Sequence, residues 1–326
     1  GALRDSIRGM SICICNASAL EALRSSGRLL PTLLDGPRCS QLDDTPVPHP
    51  IMLHDDMVRI GLKEGPYHIL VPTKRLRYSR GDVIFHTRKH PLPFQTLLRS
   101  EHGGPILTGP ELLFCDLALS PDYDTIDLIE LGYELCGTYL INDCWDGYIS
   151  NAVCATSTDK IRRVVDNLTG RPGIDVARKA LRHVRDGSNS PMETALAMML
   201  NLPKHLGGQN LGPISLNHPV VTPQGTKYVD VAFPEPKVGL EYKGRDAHSI
   251  EKTARDDRRQ NTLLGSGWTI LSVWYEDLVQ DQLYSKFLQE LAKMLHVRLR
   301  TRSEYHETMI KVLRARLLPA LEKYSQ

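Results

Sequence analysis

Two carboxylates and an ammonium stand close together in the second half of the chain. Asp230 lies within Tyr228-Val229-Asp230-Val231-Ala232-Phe233, and Glu241 and Lys243 lie within Leu240-Glu241-Tyr242-Lys243-Gly244. Residues two apart on a strand face the same way, so Glu241 and Lys243 share a face. The Pro234-Glu235-Pro236-Lys237 connection is short enough for an antiparallel hairpin, which brings Asp230 beside Glu241. Neighbouring carboxylates in a sheet repel and lose solvation unless a cation compensates. Mg²⁺ takes oxygen ligands at about 2.1 Å, usually one or two carboxylates plus water and substrate phosphate. Asp230 and Glu241 are the expected ligands for Mg²⁺ (or Mn²⁺), with the Tyr242 carbonyl as a further one. The ion would polarise a phosphate and acidify a bound water. Lys243 would orient that water and stabilise the developing charge. The expected reaction is phosphodiester hydrolysis. The plain alternative is a surface salt bridge between Glu241 and Lys243.

Further candidates surround this trio. Ser190-Pro191-Met192-Glu193 reads as a capping box, with Ser at the cap, Pro at the first helical position and Glu at the third. Capping accounts for Glu193 fully, and so does a carboxylate reaching the metal through water; both readings stand. His248 is a candidate proton acceptor or phosphate contact, with a surface histidine at a helix start as its plain counterpart. Arg259 is placed to grip a DNA phosphate. Arg258 is a weaker candidate for the same role, since Arg255 and Arg258 read better as a solvated helix face. In the first half, Lys74, Arg75, Arg77, Arg80, Arg88 and Lys89 interleave with Tyr78, His86 and His90. That cluster either contacts phosphates or forms a hairpin edge whose charges deter strand pairing.

The elements that must position these residues are legible by pattern. Strands are expected at Lys227–Phe233 and Val238–Lys243, a charged helix at Ser249–Leu264 ending at Gly265 and Gly267, and a buried strand at Trp268–Trp274. A helix from Pro191 to Asn201 precedes a Gly/Pro-rich loop from Pro203 to Pro213. Two helices close the chain, near Gln280–Leu295 and Glu304–Lys323. The first half offers helices near 17–24, 110–118, 126–135, 158–167 and 173–185, a Pro-rich irregular stretch from Pro31 to Pro50, and strands at Tyr67–Val71 and Asp82–His86. The turn-rich Arg185-Asp186-Gly187-Ser188-Asn189 predicts a boundary. The expected organisation is an α/β domain over 1–185, regulatory or DNA- or partner-binding, and a nuclease domain over 186–326.

Composition narrows the class. Apolar residues make up 41% and charged residues 24%, which predicts a folded globular protein. A net charge of +2 leaves any nucleic-acid footprint to local patches. The seven cysteines form no C-x-x-C pair, which favours reduced thiols and a cytoplasmic protein over a disulfide framework or a zinc ribbon. No run approaches the roughly 18 apolar residues of a membrane helix, and the N-terminal residues carry no signal-peptide segment, so no membrane is expected.

The order Ser190-Pro191-x-Glu193, Tyr228 to Glu235, Leu240-Glu241-Tyr242-Lys243-Gly244 with His248, Asp256-x-x-Arg259, and Leu263-x-x-x-Gly267-Trp268 resembles a bacterial endonuclease-like family. That family is related to the very-short-patch-repair endonucleases of the PD-(D/E)xK superfamily. The resemblance covers roughly Ser190 to Leu278. It implies a restriction-endonuclease-like mixed sheet flanked by helices, a divalent metal on Asp230 and Glu241 assisted by Glu193, a histidine near the site at His248, and a polar pair at Asp256 and Arg259. Many members carry Asp where Lys243 stands; Lys243 restores the Glu-x-Lys of restriction enzymes. The step from Gly244 to His248 is one residue longer than usual. The N-terminal half is similar to the region preceding this domain in actinobacterial proteins that look like abortive-infection antitoxin regulators. There, Thr108-Gly109-Pro110-Glu111-Leu112-Leu113 stands where those proteins carry SPE-x-x-LLDLA.

The expected function is a metal-dependent DNA endonuclease serving phage defence or repair. The alternative is an inactive nuclease fold acting as a DNA-binding regulator or antitoxin-like partner. A homodimer or an operon-encoded partner protein is the expected assembly. Leu313, Leu317, Leu318 and Leu321 form a stripe that suits either an interface or the chain's own core.

Overall fold

The chain has an α/β fold. The computed structural model describes residues 12–42, 44, 46–48, 50–79, 81–88, 90–99, 104–142, 147–243, 250–299 and 303–322, without the side chains of 50–52, 250–257 and 319–322. The described residues divide into two units. The first runs to Cys136 and adds Asn151–Val184; the second holds Gly137–Ser150 and everything from Arg185. The second unit resumes at Arg185, and the segment Gly137–Ser150, placed in the first domain by sequence, groups with it.

The first unit contains β1 (Cys13–Ile14), α1 (Asn16–Ser26), α2 (Leu30–Leu34), β2 (Arg38–Cys39), α3 (Pro50–Arg59), β3 (Tyr67–Val71), β4 (Val83–Thr87), β5 (Leu97–Arg99), β6 (Ile106–Thr108), α4 (Pro110–Leu117), α5 (Thr125–Leu135), α6 (Thr158–Asn167) and α7 (Ile174–Leu181). Its six-stranded sheet has the order β2-β5-β6-β1-β3-β4. Cys13 and Cys15 are buried. Two expectations need correction. β3 and β4 pair in parallel, so the basic cluster is not a hairpin edge; Lys74 and Arg75 sit on a 3-10 turn in the connection, and β4 itself is the sheet edge. The Pro31–Pro50 stretch is only partly irregular, because Pro31 opens α2, where a missing N–H costs nothing.

The second unit opens with a hairpin, β7 (Tyr139–Asn142) with β8 (Gly147–Ser150), then α8 (Pro191–Asn201). β9 (Ser215–Thr222), β10 (Gly225–Phe233) and β11 (Val238–Lys243) form an antiparallel meander; α9 (Ile250–Gly265) then crosses over to β12 (Thr269–Trp274), parallel to β11. The sheet order is β12-β11-β10-β9. The hairpin between β10 and β11 closes through Lys237 at φ 53°. Leu263 of α9 packs with Val220, Val229, Ala232 and Trp268. β12 is an edge strand, not a fully buried one: Trp274 is 37% exposed. α10 (Tyr275–Val279), α11 (Asp281–Met294) and α12 (Glu304–Glu322) complete the unit. α12 packs on α8, and Leu313, Leu317 and Leu318 are buried in this unit's own core. Leu321 lies outside the described side chains.

Candidate active site

β10 and β11 are registered by the pair Val231 and Leu240, so Asp230 and Glu241 are the next residues along each strand. Glu241 is 3% exposed. Its Oε2 accepts a hydrogen bond from Arg259 Nη1 at 2.6 Å. Arg259 Nη2 also donates to the Tyr228 carbonyl on β10. On the far side, Glu241 faces Ser272 of β12, whose Oγ accepts from Gln260 Nε2 at 3.1 Å. Consecutive residues of α9 therefore clasp β10, β11 and β12. Asp230 Oδ2 accepts from the Tyr242 backbone N–H at 3.0 Å, which ties the carboxylate to the strand carrying Glu241.

Glu193 joins from α8. Ser190 Oγ accepts from the Glu193 N–H at 3.2 Å, as an N-cap should. The Glu193 side chain reaches back, Oε2 accepting from Asn189 N–H at 2.9 Å and Oε1 from Ser190 Oγ at 3.2 Å. Burial pushes its carboxyl up to about 8; the negative charges of Asp230 and Glu241 push the same way, against the two hydrogen bonds. Glu193 thus caps α8 and also shares an electrostatic field with both strand carboxylates.

The donor set is hard oxygen, the kind Mg²⁺ takes, and two carboxylates on neighbouring strands match what proteins usually offer that ion. Yet among the described residues no group of three or more His, Cys, Asp or Glu is arranged to hold a metal. Arg259 forms an ion pair with Glu241. Arg259, expected on a phosphate, spends its guanidinium inside the site. Lys243 is half-buried at the end of β11, and Tyr242 supplies its N–H to Asp230. Arg258 is exposed on α9. Lys74 and Arg75 are exposed in the first unit, where Arg75 lies 3.7 Å from Asp44. His248 and the Asp256 side chain lie outside the described residues.

A second cluster escaped the sequence reading. A cavity of about 700 Å³ in the first unit is lined by Asn16, His68, His86, Arg88, Asp116 and Leu119, among others. The imidazoles of His68 and His86 stack at 5.1 Å, with Nδ1 and Nε2 2.9 Å apart. Asn16 lies 3.3 Å from both ring nitrogens of His86, from a left-handed backbone (φ 49°) at the start of α1 that Asn tolerates better than most residues. Desolvation lowers His86 to about 4, with His68, Arg77 and Arg88 adding in the same direction. Burial raises Asp116 to about 6 despite its ion pair with Arg88. His86 and Arg88 belonged to the predicted basic cluster, but only the parallel pairing of β3 with β4 brings His68 to them.

Comparison with known protein families, curated proteins and solved structures finds no match to this chain.

Proposed function

We propose that the second unit is a metal-dependent endonuclease core that hydrolyses DNA phosphodiesters, with a restriction-endonuclease-like arrangement of its mixed sheet. The observation that carries this reading is that Asp230 and Glu241 stand opposite one another on paired strands, with Glu193 of α8 near enough that their charges add to burial, the larger cause, in raising its carboxyl. Such a field is relieved by a bound divalent cation. Asp230 and Glu241 would hold it, and Mg²⁺ or Mn²⁺ would supply charge neutralisation and an acidified water. Lys243, on the same strand face as Glu241 by alternation, would stabilise charge on the attacked phosphate. Glu193, held by Asn189 and Ser190, would carry a proton at neutral pH in the metal-free protein. A cytoplasmic setting suits the six free thiols among the described cysteines. Phage defence or repair is the process we assign, with the first unit as its regulatory or partner-binding part.

One observation favours the rival reading of an inactive, DNA-binding regulator. Arg259 already neutralises Glu241 at 2.6 Å. Cleavage of plasmid and single-stranded DNA with Mg²⁺ or Mn²⁺, beside Asp230→Ala and Glu241→Ala, decides between them. Cleavage by the parent protein alone supports the nuclease. Equal cleavage by all three removes the active-site assignment, and equal DNA binding without cleavage by any establishes the regulator.

A further inference from the structure

We propose that a small cavity in the second unit is a binding site for a phosphate group, separate from the carboxylate cluster. The cavity measures about 290 Å³ and is lined by Lys204, Gln209, Asn210, Arg298 and His306, with Leu211 among its apolar neighbours. It is bounded by the 3-10 turn Lys204–Leu206 and the first turn of α12. No Asp or Glu lines it among the described residues.

Two of its polar side chains are more than nine-tenths buried: Gln209 is 7% exposed and His306 is 4% exposed. Gln209 Nε2 and His306 Nδ1 have no hydrogen-bond partner among the described residues. Buried polar groups left this way cost free energy, and native proteins satisfy them with water or a ligand. His306 Nε2 lies 3.0 Å from the Gly208 carbonyl oxygen. A carbonyl only accepts, so Nε2 carries the proton, and in the neutral ring Nδ1 is an acceptor. A hydrogen phosphate has an O–H of its own to donate to that acceptor. The lining also carries an ammonium, a guanidinium and the Gln209 amide N–H, with no carboxylate among the described residues. A tetrahedral phosphate accepts from several donors at once and compensates the positive charges, which a neutral ligand or a cation would not.

The frame is built to hold its shape. Gly207 has φ 90°, and a Cβ there would collide with the Met309 carbonyl on α12. A Cβ on Gly208 would collide with the Leu202 carbonyl. Only glycines let the turn approach α12 this closely, which sets the Gly208 carbonyl against His306. This gives a purpose to the Gly/Pro-rich loop Pro203–Pro213. Among the described residues, the charged groups around His306 are Lys204 and Arg298 in the lining and, on its own helix, the exposed Glu304 and Glu307.

The test is titration of the full-length chain with inorganic phosphate, followed by calorimetry and by ¹⁵N shifts of the histidine rings. Saturable binding that moves the His306 ring is expected. Gln209→Met and the partly exposed Lys204→Gln should each weaken binding by about tenfold, on the scale of a lost charge-assisted hydrogen bond. Competition identifies the source. Displacement only by a 5′-phosphorylated oligonucleotide assigns a terminal phosphate, displacement by its unphosphorylated twin as well assigns the internal backbone, and displacement by neither assigns free phosphate. Absence of saturable binding at millimolar phosphate, or binding that both substitutions leave unchanged, overturns the proposal.

Discussion

Arg259 holds the Glu241 carboxylate at 2.6 Å, and that carboxylate is almost wholly buried. The pair crosses from α9 to β11, and it decides how the charges in the site are balanced when no metal is bound. Removing one partner of a buried pair leaves an uncompensated charge, a loss of about 3–5 kcal/mol, toward the lower end here because the Arg259 side chain is 30% exposed. Arg259→Gln should therefore destabilise the second unit by about 3 kcal/mol in metal-free buffer. Urea denaturation with and without Mg²⁺ measures this. If the ion is the site's natural counter-charge, saturating Mg²⁺ restores part of the loss. If it restores none, the guanidinium alone serves that role and the metal reading fails.

Glu193 makes a prediction about pH. Its folded-state carboxyl stands at about 8, above its ordinary 4.5. The folded state therefore binds more protons than the unfolded state across that window, and stability falls as pH rises from about 4.5 to about 8. Glu193→Gln should flatten this decline, since the amide cannot ionise and still offers an oxygen to the Asn189 N–H. Mg²⁺ should flatten it too, by favouring the carboxylate. Denaturation midpoints across the range test both. An undiminished slope in Glu193→Gln would show that Glu193 is not what titrates.

How much of this was readable in the chain depends on how local each contact is. Asp230 and Glu241 belong to one hairpin with a short connection, so strand alternation and turn length suffice to place them. The capping of α8 by Ser190 is equally local. Arg259 was readable as a cation on a helix, but its partner depends on how α9 crosses the sheet. β9 was missed because Asn217, His218 and Pro219 break its pattern; Asn217 takes φ 45°, and Pro219 is admissible because β9 is an edge strand. The parallel pairing of β3 with β4 had no local signal, since the intervening stretch also suits a hairpin. The stacked histidines followed from that topology and were lost with it.

Lys243 separates chemistry from binding. If it stabilises charge only in the transition state, Lys243→Met lowers the cleavage rate by about 10²–10³ while DNA affinity stays within a few-fold. Single-turnover cleavage and a binding titration at matched salt check the split. A parallel loss of affinity and rate would make Lys243 a phosphate anchor instead.

The first unit offers a prediction that needs no activity. Asp116 titrates at about 6 in the folded state against an ordinary 3.8, so its contribution to stability falls as pH rises through that interval. His86, lowered from 6.5 to about 4, works the opposite way: the unfolded state binds the extra proton, so stability rises with pH between those values. The two slopes oppose one another over most of the same range. Asp116→Asn should therefore do two things. It leaves Arg88 without its carboxylate, at a loss of about 3 kcal/mol, the low end because the Arg88 side chain is 23% exposed. It also uncovers the His86 titration, so the variant's stability climbs with pH between about 4 and 6.5 more steeply than the parent's. Adding His86→Gln should return the slope to that of the parent without recovering the lost stability. A double variant that kept the steep slope would place the titrating group elsewhere than at His86.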